Sequence, residues 1–305
     1  MHTLLLSLLL GCPSPDPTPS TGDTGEVSDL PCDQRDADED GVDACTDCDD
    51  HDAAIFPGAP EICDGADSDC DGSPATGEGD VDGDGSPDCI ACDEAGFWAL
   101  TRDLSGRAEI ETALRGATAG LNDCDYTAVT YWMFTRLDND NAQVECVYTG
   151  RKTSITTGKP DSDDMNTEHT WPQSWGADSP PMECDLHHLF PTDTYANAQR
   201  GNNPFGVVTN AAWSEGGSKL GNNASGVRVF EPRDVHKGNV ARAVLYYAMR
   251  YNESISSADR ALYRGWAQLD PVDAVELKRS EDIGRYQEHP NPYVVCPGLV
   301  EKVTQ

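Results

Sequence analysis

Three short runs of this chain carry side chains that could do chemistry together. They are Thr167-Glu168-His169-Thr170-Trp171-Pro172, Glu183-Cys184-Asp185-Leu186-His187-His188-Leu189-Phe190-Pro191, and Asn197-Ala198-Gln199-Arg200-Gly201-Asn202. A carboxylate beside a histidine, an aspartate with two histidines, and an amide followed by an arginine read as a one-metal phosphodiesterase site. Hydrolysing a phosphodiester at neutral pH makes three demands. A water must lose a proton, charge on the phosphorus oxygens must be stabilised, and the leaving oxygen must be helped out. A histidine near its ordinary pKa of about 6.5 can take the proton. A divalent metal can stabilise the phosphorane and the leaving oxygen. His169 is the candidate base, against the plainer reading of a structural histidine. Glu168 is the hard anionic ligand, and Asn197 the neutral one through its carbonyl oxygen. Arg200 follows Asn197 by one helical turn, so both can face one side. Its planar fork suits a phosphate oxygen. A helix-end arginine capping carbonyls would have the same spacing.

These residues need two strands and a helix to hold them. Glu168 and His169 are neighbours, so on a regular strand they point to opposite faces. For both to serve one site, the strand must be irregular there or meet the metal at an angle. Asp185, His187 and His188 are expected on a second strand, where only one of the two histidines can face the site. The other is expected to be a core histidine that orients Asp185 or the helix. Elsewhere, Ile110, Leu114, Ala117 and Leu121 recur at helical spacing, as do Val129, Trp132, Met133 and Leu137. Strands are expected at 143–149, 206–209 and 226–230. Asn239, Ser257 and Asp270-Pro271 are expected to open three helices, the last running towards Gln287 and ended by Asn291-Pro292-Tyr293.

The pattern E-H-x-W-P, then D-L-H-H-L-x-P, then N-x-x-R-x-N resembles the bacterial endonuclease I family of periplasmic and extracellular nucleases. Tyr148-Thr149-Gly150, Ala241-Arg242-Ala243, Tyr246-Tyr247-Ala248-Met249, Asp270-Pro271-Val272-Asp273 and Asn291-Pro292-Tyr293 add to it. The likeness covers about residues 107–296 and none of the chain before them. It implies an α+β fold, with a ββα-metal (His-Me finger) motif among surrounding helices. It implies that Glu168 and Asn197 hold the metal, that His169 is the general base, and that the strand bends to let them meet. Mg²⁺ is the expected ion, its shell completed by water and phosphate oxygens. It also implies a sequence-nonspecific endonuclease leaving 5′-phosphates on DNA, with RNA as a second substrate. Phosphate contacts position a strand without reading its bases. Arg151, Lys152, Lys159, Arg200, Arg228, Arg233, Lys237 and Arg242 are the candidate bases along the substrate path.

Composition cuts across this reading. The formal charge is -33. Residues 1–93 hold 25 acids against Arg35 alone, leaving 29 acids and 20 bases for the rest. Such a chain is poorly suited to tight electrostatic capture of nucleic acid. Of 12 cysteines, seven lie between Cys32 and Cys92, which argues for an oxidising compartment. Leu4–Leu10 followed by Gly11-Cys12 reads as a lipoprotein-type signal peptide over 1–12, with Cys12 lipidated. A plain signal peptide is the alternative. Membrane contact is expected through that anchor alone, and the protein is expected to be exported, at the cell surface, in the periplasm or outside the cell. Residues 13–31 form a Pro/Ser/Thr-rich tether.

Residues 32–92 have too few large apolar side chains to fold unaided. Their carboxylates are spaced instead. Asp36, Asp38 and Asp40 precede Gly41, and Asp80, Asp82 and Asp84 precede Gly85, with Asp88 beyond. Alternate carboxylates and a turning glycine let one loop wrap Ca²⁺. Disulfides and calcium would then replace a core. A solvated acidic spacer is the alternative, and zinc at Cys45-x-x-Cys48 or Cys89-x-x-Cys92 is disfavoured by oxidation. The nuclease domain is expected over 93–305. Its cysteines Cys124, Cys146, Cys184 and Cys296 allow three pairings if all are oxidised, and a bridge at Cys184 would steady the site. No protein partner is expected. A calcium-binding adhesion protein with a non-catalytic nuclease-like domain, or a hydrolase of some other phosphodiester, would fit many of the same residues.

Overall fold

The helix Lys237–Tyr251 is buried almost all round, which makes it the axis on which the other elements pack. The structure is a computed structural model, and it describes residues 32, 35–38, 41–52, 55–57, 59, 67, 70, 92, 96–120 and 124–305. The expectations for Cys12, Asp40, Asp80, Asp82, Asp84, Asp88 and Leu121 lie outside the described residues.

The described elements run α1 (Phe97–Thr101), α2 (Arg107–Ala117), α3 (Tyr126–Trp132), β1 (Gln143–Glu145), β2 (Lys152–Ser154), β3 (Met165–His169), β4 (Leu189–Asp193) and α4 (Thr194–Arg200). They continue with β5 (Asn210–Glu215), β6 (Ser218–Asn222), β7 (Arg228–Glu231), α5 (Lys237–Tyr251), α6 (Ser257–Leu269), α7 (Ala274–Gln287), α8 (Pro292–Val295) and α9 (Gly298–Thr304). The sheets are small: a β1-β2 ribbon, a β3-β4 ribbon and an antiparallel β5-β6-β7 sheet. The architecture is α+β, as expected. Ile110 and Leu114 of α2, Val129 of α3, and Val240, Val244 and Tyr247 of α5 are all buried in one core.

Several local expectations need correction. No strand forms at 206–209; Phe205 makes only an isolated bridge to Phe230. The hairpin β5-β6 lies just beyond, closed by Gly216 (φ 56) and Gly217 (φ 94). That pair of positive angles suits a two-residue turn. A Cβ on Gly216 would sit 2.2 Å from the Thr149 carbonyl oxygen, so glycine also lets the turn pack on that loop. Asn239 does not open α5, which starts two residues earlier. Asp270 does not cap its own downstream helix. Its carboxylate accepts from the Gly238 N–H at 2.8 Å and so satisfies the start of α5. Asp273 caps α7 instead, accepting from the Glu276 N–H. Ser256 rather than Ser257 caps α6. Asn291-Pro292 opens the short helix α8, with proline at its first turn.

Candidate active site

β3, β4 and α4 form a ββα unit. The two strands pair antiparallel, with Thr167 opposite Pro191, Glu168 opposite Phe190 and His169 opposite Leu189. Asp193 closes β4 and opens α4, its side chain accepting from the N–H groups of Tyr195 and Ala196. Arg151 holds that cap, donating from Nε to Asp193 Oδ2 at 2.6 Å. Gly201 ends the helix at φ 52, where a side chain would be strained.

Asn197 faces β3 from the middle of α4. Its Nδ2 donates to Asn166 Oδ1 at 2.8 Å and to the Thr167 carbonyl at 3.1 Å. Asn166 and Glu168 are two apart on a strand and share a face. The helix therefore brings Asn197 to the Glu168 face with its amide nitrogen occupied and its carbonyl oxygen left over. Glu168 is buried, and its Oε1 accepts from the Tyr148 hydroxyl at 2.8 Å. Arg200 Nε lies 2.8 Å from the same oxygen as an ion pair, off the line of a hydrogen bond. Burial pushes the Glu168 carboxyl above its ordinary range despite Arg200 and Tyr148.

Arg200 has no exposed surface. Its Nη1 donates to the carbonyls of Gly201 and Asn203, its Nη2 to that of Thr170, and its guanidinium lies 4.3 Å from the Phe205 ring centre. The guanidinium is committed to holding the end of α4 against the chain leaving β3, which is the carbonyl-capping alternative rather than the phosphate contact.

His169 is the last residue of β3, and the pairing is regular up to it. No bulge turns it towards Glu168, so the irregular strand implied by the resemblance is absent from the pairing. His169 instead occupies the opposite face at the strand's end. There its ring stacks on Tyr126 of α3, with centroids 5.8 Å apart, and meets His188 edge-on at 5.6 Å. Its Nε2 is buried with no hydrogen-bond partner. Backbone groups of Glu183 and Thr167 favour a proton on the ring. Burial and the neighbouring His188 pull the His169 pKa down to about 3, so the ring is neutral at ordinary pH.

His187 and His188 are not on a strand. They lie in a 3-10 turn, Leu186–His188, ahead of β4. Asp185 caps this turn by accepting from the His187 N–H, which is why the chain cannot begin its ladder there. Both rings are buried and both Nε2 atoms face carbonyl oxygens: His187 that of His289 at 2.9 Å, His188 that of Met182 at 2.7 Å. Asp185 accepts from the hydroxyls of Tyr246 and Tyr251 and lies 3.5 Å from Arg250 Nε. These three residues anchor the turn to α5, and His188 reaches the site through its contact with His169. Tyr148, Tyr126 and Asn166 also belong to the site and were not singled out from the sequence. Tyr148 opens the Tyr148-Thr149-Gly150 segment, which was the available signal.

Cys184 bridges to Cys124, tying the turn before Asp185 to the start of α3. Cys296 pairs outside the expected four, with Cys92, and Cys146 is a buried free thiol. In the front segment Cys32 pairs with Cys45 and Cys48 with Cys70. Neither Cys45 nor Cys48 is a thiolate able to take zinc. Gly41 turns at φ 98, and its N–H donates to Asp36 Oδ2 at 3.0 Å; Asp36 and Asp38 are half-buried.

The expected basic path is mostly spent on the fold. Arg151 pairs with Asp164 and Asp193, Arg233 and Lys152 with Glu145, Lys237 with Glu231 and Asp234, and Arg242 with Glu276. Lys159 donates to Thr130 Oγ1, and Arg228 is exposed at the start of β7.

Residues 115–298 match the model of the Endonuclease I family, and residues 47–74 match a MopE-type metal-binding motif. The chain is 33% identical over 177 residues to an extracellular ribonuclease of Bacillus subtilis (strain 168), covering 52% of this chain and 60% of that protein. It is 30% identical over 232 residues to the extracellular ribonuclease of Bacillus amyloliquefaciens, covering 66% and 76%. It is 29% identical over 113 residues to an extracellular deoxyribonuclease of Aeromonas hydrophila, covering 37% and 50%. The match thus spans between half and three quarters of these relatives. Over most of its length, the part that carries the ββα unit, this chain belongs to the endonuclease I family.

Proposed function

We propose that the protein is an exported, metal-dependent, sequence-nonspecific endonuclease that hydrolyses phosphodiesters of DNA or RNA. The single observation that carries this reading is the ββα unit, which sets Glu168 and Asn197 on one face of β3 with His169 at the strand's end, in a domain of the endonuclease I family. The proposed roles are as follows. His169 accepts the proton of the attacking water at Nε2. Glu168 and Asn197 hold a hard divalent cation, with Mg²⁺ the expected one. The leftover carbonyl oxygen of Asn197 and the carboxyl of Glu168, on the same face of β3, are hard oxygen donors that fit such an ion. When bound, it supplies positive charge to the phosphate oxygens and the leaving oxygen. Because the two ligands and the base occupy opposite faces of β3, the substrate phosphate must sit at the strand's end, where both faces can be reached. Arg200 and Tyr148 act as positioning residues that fix Glu168.

The test is degradation of plasmid DNA and of an RNA transcript by the full chain, with Mg²⁺ and with EDTA. No degradation of either polymer with any divalent metal would instead favour the adhesion-protein reading. The front segment is proposed to bind Ca²⁺ in loops such as the one turned by Gly41, and to be carried beyond the cytoplasmic membrane with Cys12 as lipid anchor. The metal-binding motif over 47–74, between the two acidic loops, and the paired cysteines support metal binding by this segment, and the Gly41 turn with Asp36 supports a loop of the expected shape.

A further inference from the structure

The loop that follows His169 ends in an exposed indole. Trp175 closes a short 3-10 turn, Gln173–Trp175, and is 43% exposed, an unusual state for tryptophan so close to a candidate base. Its support is rigid. Trp171 lies beneath it, edge-to-face at 5.9 Å, and donates from Nε1 to the Trp175 carbonyl at 3.3 Å. Trp171 is in turn stacked on Tyr247 of α5 at 4.9 Å, and Tyr247 meets His188 at 4.8 Å. An unbroken series of ring contacts thus runs from His169 out to Trp175. The turn is also tied to the end of α4, since Asn202 Nδ2 reaches Ser174 Oγ at 3.4 Å.

Asn202 lies just beyond the end of α4, the helix that carries Asn197, so the Trp175 turn is tied to the element that completes the ββα unit. The loop itself has no positive charge to offer a phosphate: residues 170–186 include Asp178 and Glu183 near the surface and no lysine or arginine. The wider basic path is largely consumed by internal ion pairs. What the surface offers is an aromatic face, to which any base can stack whatever the sequence.

We infer that Trp175 is a substrate-positioning residue which stacks an unpaired nucleobase of the strand being cut. This rests on the nuclease reading above and names its substrate: a strand with unstacked bases, such as single-stranded DNA, RNA loops or frayed ends. It also explains how so acidic a protein holds a polyanion, by a contact that does not depend on charge.

The experiment compares the full-length wild type, Trp175→Ala and Trp175→Phe, all with Mg²⁺. The substrates are a single-stranded oligonucleotide, the same strand made of abasic residues, and the duplex. The wild type is expected to show a KM about tenfold lower on the base-bearing strand than on the abasic one. Trp175→Ala is expected to lose that preference with kcat within about twofold, cutting the abasic strand as the wild type does, and Trp175→Phe to recover most of it. A Trp175→Ala protein that keeps the preference, or that weakens equally on both single strands, overturns the inference and leaves the nuclease reading standing. A wild type that cuts none of the three substrates overturns both.

Discussion

Lowering the pH should destabilise this domain through histidines that are buried in the neutral form. His187 and His236 are buried, and burial pulls each pKa down to about 3. Their unfolded value is about 6.5. Between those limits the unfolded chain takes up protons that the folded chain refuses. Stability therefore falls as pH drops below 6.5 and levels off towards pH 3; above about pH 7.5 neither residue contributes a slope. From pH 7 to pH 5 each residue removes about 2 kcal/mol, so the pair removes about 4 kcal/mol. That is a large share of a typical 5–15 kcal/mol. His169 is left out of the sum because a cation beside Glu168 would alter its field. Glu168, Asp270 and Glu276, whose pKa values burial raises, act in the opposite direction and shrink the total. A subtraction isolates the histidine part. His236 packs edge-on against Phe190 and Tyr148, so phenylalanine keeps the packing, and the hydrogen bond to Asn239 that it gives up costs the same at both pH values and cancels in the comparison. Urea unfolding of the wild type and of His236→Phe at pH 7 and pH 5 should show the variant losing about 2 kcal/mol less than the wild type. Equal losses in the two proteins would refute the assignment of this slope to buried neutral histidine.

Two other predictions concern the frame and the front segment. Arg242→Ala should cost about 3–5 kcal/mol in urea unfolding, because Arg242 Nε and Nη2 bind both oxygens of the buried Glu276, which would be left charged and alone; a loss under about 1 kcal/mol would mean that water replaces the pair. Calcium removal should expose residues 32–92 to protease while 96–305 stay intact, since loops such as the one turned by Gly41 have disulfides but almost no core to hold them; the same digestion pattern with and without calcium would reduce them to acidic spacers.

How much of this could be read from the sequence depended on whether a signal was local. Glu168, His169, Asn197 and Arg200 fall on the expected strand and helix because the three motifs that carry the family resemblance lie within one short stretch, where a ββα unit is built from near neighbours. The hairpin 210–222 was missed although Glu215-Gly216-Gly217-Ser218 is a turn signal, because Asn210-Ala211-Ala212-Trp213 alternates weakly. The placement of His187 and His188 on a strand failed because Asp185 caps a 3-10 turn through the His187 N–H, an arrangement fixed in place by the contacts of its other oxygen with Tyr246, Tyr251 and Arg250 of α5. Asp270 misled in the same way, capping the helix before it in the chain rather than the one after. The role of each base was equally hidden. Arginine at a strand end reads alike whether it awaits a phosphate or, as Arg151 does, grips a helix cap.

The most direct measurement is cleavage of a single-stranded oligonucleotide by the full chain, wild type against His169→Ala, across a Mg²⁺ titration. The account predicts that the variant loses at least about 10²-fold in kcat at saturating metal, as expected for removal of a general base, while the metal concentration giving half-maximal rate stays within about threefold because Glu168 and Asn197 remain. A His169→Ala protein that retains wild-type kcat would contradict it, and the unpartnered Nε2 would then need another explanation.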